Sequence, residues 1–159
     1  MLKRYLVYAV IGIILCYLQK LLFSRLAIYD LAPDFVSLFV VFISIRESQS
    51  VGTTGGFFIG LLEGFISGTP GAEPLKKTIV GFVAGYFTNA DDRNLSRDFF
   101  VATALSSFIG NIFYYLLIYS REVSILKLIF FYGLGGSVYN LLIGYVLFNV
   151  GLKWLFPVR

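Results

Sequence analysis

The chain has 159 residues, 58% hydrophobic and 18% aromatic, with only 14% charged and a formal net charge of +4. A soluble domain carries about 25% charged residues, and a soluble core of this size cannot hide so much apolar surface, so the chain reads as one integral-membrane domain. The absence of histidine, a lone cysteine at position 16 and basic runs of at most two residues exclude an internal disulfide, a zinc motif and a nucleic-acid face.

The first apolar run, YLVYAVIGIILCYL, follows Met1-Leu-Lys-Arg and could be a signal peptide. Gln19 and Lys20 come next without a small-x-small cleavage site, and bulky Leu15 precedes Cys16 where a lipoprotein junction needs a small residue. An uncleaved first span is therefore expected over about 5–23. Crossing roughly 30 Å of hydrocarbon takes about 20 residues. Further spans are predicted at about 32–46, 51–68, 74–89, 98–119 and 134–157. The second and fourth are short, with uncharged cores at 35–45 and 78–90, in the range of partial or re-entrant segments. Lys76 and Lys77 can lengthen the fourth by snorkelling their ammonium groups to the interface. The stretch 124–157 divides into an interfacial piece, ILKLIFFYG, and a sixth span. Open strands cannot satisfy their backbone groups in lipid, and the runs do not alternate as barrel strands do. The expected fold is all-α, a six-transmembrane-helix bundle with short connections.

Six spans put both termini on one side. That side carries Lys3, Arg4, Arg46, Arg93, Arg97, Lys153 and Arg159; the other carries Lys20, Arg25, Lys76, Lys77, Arg121 and Lys127. Seven against six scarcely orients the chain, but Lys3-Arg4 beside the first span favours the N-terminus inside. Tyr114, Tyr115 and Tyr119 fit an interfacial belt at the far end of the fifth span.

Glycine recurs at every fourth position from 52 to 68: Gly52, Gly56, Gly60, Gly64 and Gly68. Residues four apart lie almost above one another on a helix, so the row makes a bare groove about 24 Å long. Each glycine costs about 1 kcal/mol against alanine in a water-exposed helix, but in lipid small-xxx-small rows let backbones approach closely. Gly81 and Gly85 in the fourth span offer a partner surface, and Gly133, Gly135 and Gly136 open the sixth. The row either packs the third span inside its own bundle or, in part, receives another membrane protein.

Glu63 lies beside this groove, about 7 Å below the end of its helix. An acid in a span usually faces protein or a water-filled cavity, so pairing with Lys76 or Lys77 is expected, clamping the GTPGAEP loop or serving a partner or ligand. Asp34, after Pro33, reads as a helix cap at the membrane surface. Asn140 reads as an interhelical hydrogen-bonding residue.

These elements in this order resemble the rod shape-determining protein MreD family. The family's pattern is a Pro-Asp leading a greasy second span, a short basic turn, a Gly-rich third span with an acid after GLL, a Pro-Gly loop and a GxxAG-like fourth span. The matching stretches are APDFVSLFVVFISIRE, GGFFIGLLEGFISGTPG and TIVGFVAGYF, and SVYNLLIGYVLF is similar to the family's last helix. Glu63 departs from the pattern, which leads one to expect aspartate; the chemistry is kept and the reach grows by one methylene. The resemblance implies a six-helix fold similar to the substrate-binding subunits of energy-coupling-factor vitamin transporters. It also implies a multi-pass protein of the bacterial inner membrane with both termini cytoplasmic. Its implied role is a scaffold of the elongation machinery that binds the bitopic protein MreC. The implied further partners are a class B penicillin-binding protein with its glycosyltransferase, and the MreB filament.

Two other classes are weighed beside the scaffold. A small-ligand subunit of a vitamin-type transporter would need convergent polar groups, which Glu63, Asp34 and Asn140 could supply, but the loops are short. An intramembrane enzyme would need a Ser–His pair, paired aspartates or a metal site, and the aspartates at 30, 34, 91, 92 and 98 all fall at span ends or in loops. No catalytic residue, metal or cofactor is expected.

Overall fold

The computed structural model describes residues 2–21, 27, 31–88, 95–119 and 123–149. Among these, every regular element is helical: α1 (Leu2–Leu21), α2 (Phe35–Arg46), α3 (Gln49–Ser67), α4 (Ala72–Ala84, closed by a tight turn Gly85–Phe87), α5 (Leu95–Tyr119) and α6 (Ile125–Leu147). Where a break between an interfacial piece and a sixth span was expected, Ile125–Leu147 is instead one continuous helix. Its turns widen to π-type hydrogen bonding over Leu128–Gly135. Asp30, Asp91, Asp92, the loop arginines at 25, 93 and 121, and the C-terminal end of the predicted sixth span lie outside the described residues.

Contacts pair the elements in alternating directions. At one end Arg4 meets Glu47, Gln49 Nε2 donates to the Phe82 carbonyl, and the rings of Phe99 and Phe148 pack together. At the other end Gln19 meets Pro33, Lys77 meets Asp34, and Tyr115 stacks on Tyr132 at 4.1 Å. The helices thus run up and down a single bundle.

α2 is its axis. All ten residues from Val36 to Ile45 are buried. A helix that is apolar all round belongs inside other helices. One side of α2 places Leu38, Val41 and Phe42 with Val80 and Ala84 of α4 and Phe99 and Ala102 of α5. The other side places Phe39 and Ile43 with Tyr8 of α1, flanked by Val51 and Ile59 of α3. This explains why the second predicted span is so short. Its 12 residues reach about 18 Å, and a helix sheathed in protein need not match the thickness of a bilayer.

Outside α2 the usual polarity of a globular protein is reversed. Leu6, Phe58, Phe65, Leu117, Leu142 and Tyr145 are exposed, while Asp34, Glu63, Lys77, Ser107, Asn111 and Asn140 are buried. In water such a surface would aggregate; in lipid it is the favourable arrangement, with ionisable side chains facing the bundle interior. Three helices, Lys3–Leu21, Leu95–Tyr119 and Ile125–Leu147, are long and apolar enough to cross a membrane.

Candidate functional site

The polar interior is built outward from the residues that precede α2. Asp34 caps that helix: its Oδ1 accepts the Ser37 N–H at 2.8 Å and its Oδ2 accepts the Ser37 hydroxyl at 2.7 Å. The backbone on either side is held by other helices. Gln19 of α1 donates to the Pro33 carbonyl at 2.7 Å and accepts from the Phe35 N–H at 3.1 Å. Asn140 of α6 accepts the Asp34 N–H at 2.9 Å and donates to Ser107 of α5 at 3.1 Å. Asp34 was expected as a cap at the membrane surface. It does cap the helix, but it is 5% exposed and stands at the centre of an ion cluster.

Lys77 is the cation of that cluster and is fully enclosed. Its Nζ donates to both Asp34 oxygens, at 2.8 and 2.7 Å, and lies 3.0 Å from Glu63 Oε2 and 3.2 Å from Glu73 Oε2. Lys76 Nζ stands 2.6 Å from Asp34 Oδ2 and 5.0 Å from the centre of the Tyr114 ring. The snorkelling expected of both lysines does not occur. Carboxylates from the start of α2 and from α3 stand inside the bundle at this level, so the ammonium groups turn inward. Glu63 pairs with Lys77, and Lys76 goes to Asp34.

An ammonium has three protons. Asp34 takes two of those on Lys77, which leaves one for two further carboxylates. The remaining proton cannot serve both, and neither Glu63 Oε2 nor Glu73 Oε2 receives an aligned hydrogen bond, although each lies within ion-pair distance of Nζ. Their contacts with Lys77 satisfy charge but not alignment. Removing an ion from water costs several kcal/mol, and only close pairing offsets it, so these five side chains depend on one another.

The glycine row sits beside the cluster and is filled from within. A Cβ at Gly56 would strike the Lys77 carbonyl, and one at Gly81 would strike the Gly52 carbonyl. At Gly60 it would stand 2.8 Å from the Glu73 carbonyl oxygen, and at Gly64 2.9 Å from that of Thr69. Gly52 abuts Ser44 and Gly85 abuts Gln49. α3 and α4 therefore cross backbone to backbone, and this close approach brings Glu63 within reach of Lys77. Another protein's helix has no room in the same groove. Gly68 leaves the pattern: its Cβ would meet nothing within 4 Å, and its φ of +84° makes it the left-handed residue that ends α3, with the Gly68 and Thr69 N–H groups both donating to the Gly64 carbonyl. Gly133 and Gly136 lie within α6 and admit Phe108 and Asn111 of α5.

The sequence reading singled out Asp34, Glu63, Lys76, Lys77 and Asn140, and the structure gathers all five. It did not single out Gln19, Ser37, Glu73 or Ser107, and it read Tyr114 only as part of an interfacial belt. Glu73 carried a signal, since it stands four residues before Lys77 and so on the same helix face. The others act through backbone groups or through helices distant in sequence, and no local pattern marks them. The arrangement is suited to fixing α2, α3 and α4 against one another. Among the described residues no three His, Cys, Asp or Glu are grouped to hold a metal ion. Comparison with protein-family models, curated proteins and solved structures finds no match for this chain.

Proposed function

We propose that the chain is a non-enzymatic, six-span scaffold of the bacterial inner membrane, of the MreD kind, that binds a bitopic MreC-like protein and supports cell-wall elongation and cell shape. One observation carries this reading: the stretches that bear the resemblance converge on one place. Asp34 comes from APDFVSLFVVFISIRE, Glu63 from GGFFIGLLEGFISGTPG and Asn140 from SVYNLLIGYVLF, and they meet around Lys77, one residue before TIVGFVAGYF. Residues shared as a series are in this way explained as parts of one clamp.

The inward-turned lysines also bear on orientation. With Lys76 and Lys77 folded inside, the side opposite the termini keeps Lys20, Arg25, Arg121 and Lys127, four against seven. That bias favours cytoplasmic termini. The partner's span then meets an outer face of the bundle, since the glycine groove is occupied. Contacts to the cell-wall enzymes and to the MreB filament run through that partner.

The test is photo-crosslinking in native membranes from outward positions on each face: Phe58 and Phe65 on α3, Leu117 on α5 and Leu142 on α6. The scaffold reading expects an adduct with a single-span, coiled-coil protein from one face and not from the others. Absence of that adduct from every face counts against it.

A further inference from the structure

α1 is the least embedded of the three membrane-length helices: 17% of its span is buried, against 33% for α5 and for α6. It meets the bundle along a stripe one residue wide. Tyr8, Gly12 and Cys16, four apart, are its buried positions, while Leu6, Val10, Ile13, Tyr17 and Leu21 face outward. The two ends of this stripe are held differently. On the side of the N-terminus, Tyr8, Ile11 and Leu15 pack with Phe39 and Ile43 of α2 and Ile59 of α3, and Glu47 takes both Arg4 and Tyr8. Gly12 lets Ile59 in, whose Cδ1 stands 2.9 Å from where a Cβ would be. Beyond Leu15, among the described residues, α1 joins neither apolar cluster. There polar groups hold it. Cys16 Sγ is 3.7 Å from the Ile59 carbonyl, Gln19 brackets the backbone at Pro33 and Phe35, and Lys20 has a contact of its own. Beside them is a cavity of about 160 Å³, between Cys16, Gln19 and Lys20 of α1 and Glu63, Ile66 and Ser67 of α3. Where a cavity stands in place of packing, its walls forfeit dispersion contacts.

We propose that the last part of α1, from Cys16 to Leu21, is a flap that lifts away from α2 and α3 about the Gly12–Ile59 contact while the rest of the bundle stays folded, opening the cavity to the bilayer. A segment with few buried apolar contacts opens at less cost than the whole fold. Lipid lowers the cost further, because hydrophobic burial does not drive helices together there, so parting two apolar faces carries little penalty. What keeps the flap shut at rest is polar: on opening, the Pro33 carbonyl and the Phe35 N–H lose Gln19. The ion pairs around Lys77 stay intact in the open state, since their members belong to α2, α3 and α4. The flap is independent of the scaffold role and of any partner.

Cys16 is the chain's one cysteine and is wholly buried, so its alkylation by a membrane-permeant maleimide reports the opening. The purified full-length chain in mild detergent is labelled across urea concentrations below its unfolding transition. A chain with Cys16→Ser and Val41→Cys carries the thiol in the apolar core of α2 instead, where it reports unfolding of the whole bundle. Cys16 should react about tenfold faster or more than the Val41→Cys thiol, with a flatter dependence on urea, because less surface is exposed. Gln19→Leu removes the two hydrogen bonds to the Pro33–Phe35 backbone and should speed Cys16 labelling about tenfold or more, while labelling at Val41→Cys stays as it was. Arg4→Ala, at the firmly packed end, should speed it far less. The proposal is overturned if Cys16 shares the rate and urea dependence of the core thiol, if Gln19→Leu leaves it unchanged, or if Arg4→Ala accelerates it equally. Should Val41→Cys fail to fold, the urea dependence of Cys16 labelling is set against unfolding followed by circular dichroism, and equal slopes overturn the proposal as well.

Discussion

Where α2 begins, five charged side chains are enclosed together; where it ends, Glu47 meets Arg4, whose side chain is 56% exposed. The Arg4–Glu47 contact is short, 2.6 Å, and Tyr8 adds a hydrogen bond to the same carboxylate at 2.9 Å. By distance alone the two ends look equally strong. Their surroundings make them different. Glu47 is 6% exposed, but a pair whose cation stands open competes with water and salt and contributes little, whereas a group enclosed on every side cannot lose one member without stranding the rest. Burial, more than contact length, decides which ions hold this bundle together.

The comparison is broken most severely at Lys77. Lys77→Met leaves three enclosed carboxylates facing one ammonium, and a loss of about 3–5 kcal/mol is expected. Detergent melting and size-exclusion profiles should show little folded protein; a variant that melts like the parent would refute the interdependence. Next comes the crossing that delivers Lys77 to Glu63. Gly56→Ala places a methyl group on the Lys77 carbonyl and should cost about 1–3 kcal/mol, while Gly55→Ala, one residue away with nothing within 4 Å, should be neutral or stabilising by up to about 1 kcal/mol. Equal melting temperatures for the two would mean that α3 and α4 do not touch as described. Smaller again is Asn140→Ala, which strips the Asp34 N–H and Ser107 of a partner at a cost of about 1–2 kcal/mol, read as a lowered midpoint in denaturant. Smallest is Arg4→Ala. It should cost about 0–1 kcal/mol, and that difference should shrink further as salt is raised, measured by melting across an ionic-strength series.

Helical class, the close match of α3 and α4 through glycine, and an acid needing a cation were all legible from residue type and spacing. They rest on local periodicity, which sequence displays directly. The destination of Lys76 and Lys77 was not. Snorkelling and inward pairing begin from the same two lysines, and only the position of Asp34, carried in by another helix, decides between them. Asp34 itself illustrates a second limit: a cap and an ion-pair hub use the same carboxylate, and local sequence shows only the cap. α6 illustrates a third. A run too long for one span suggested a break at its glycines, yet Gly133 and Gly136 are taken up by close approach of Phe108 and Asn111, and the chain absorbs the excess as widened turns.

The sheathing of α2 has a consequence for how the protein is made. Twelve residues, nine of them apolar, are too few for an insertion machinery to retain as an independent passenger, and Asp34 at their leading edge weighs against release into lipid. On the proposed six-span reading, α2 waits beside the translocon until α3 and α4 emerge and bring Lys77 to its carboxylate. On this view ribosome pausing or truncation anywhere before residue 77 leaves an orphaned hairpin for membrane quality control.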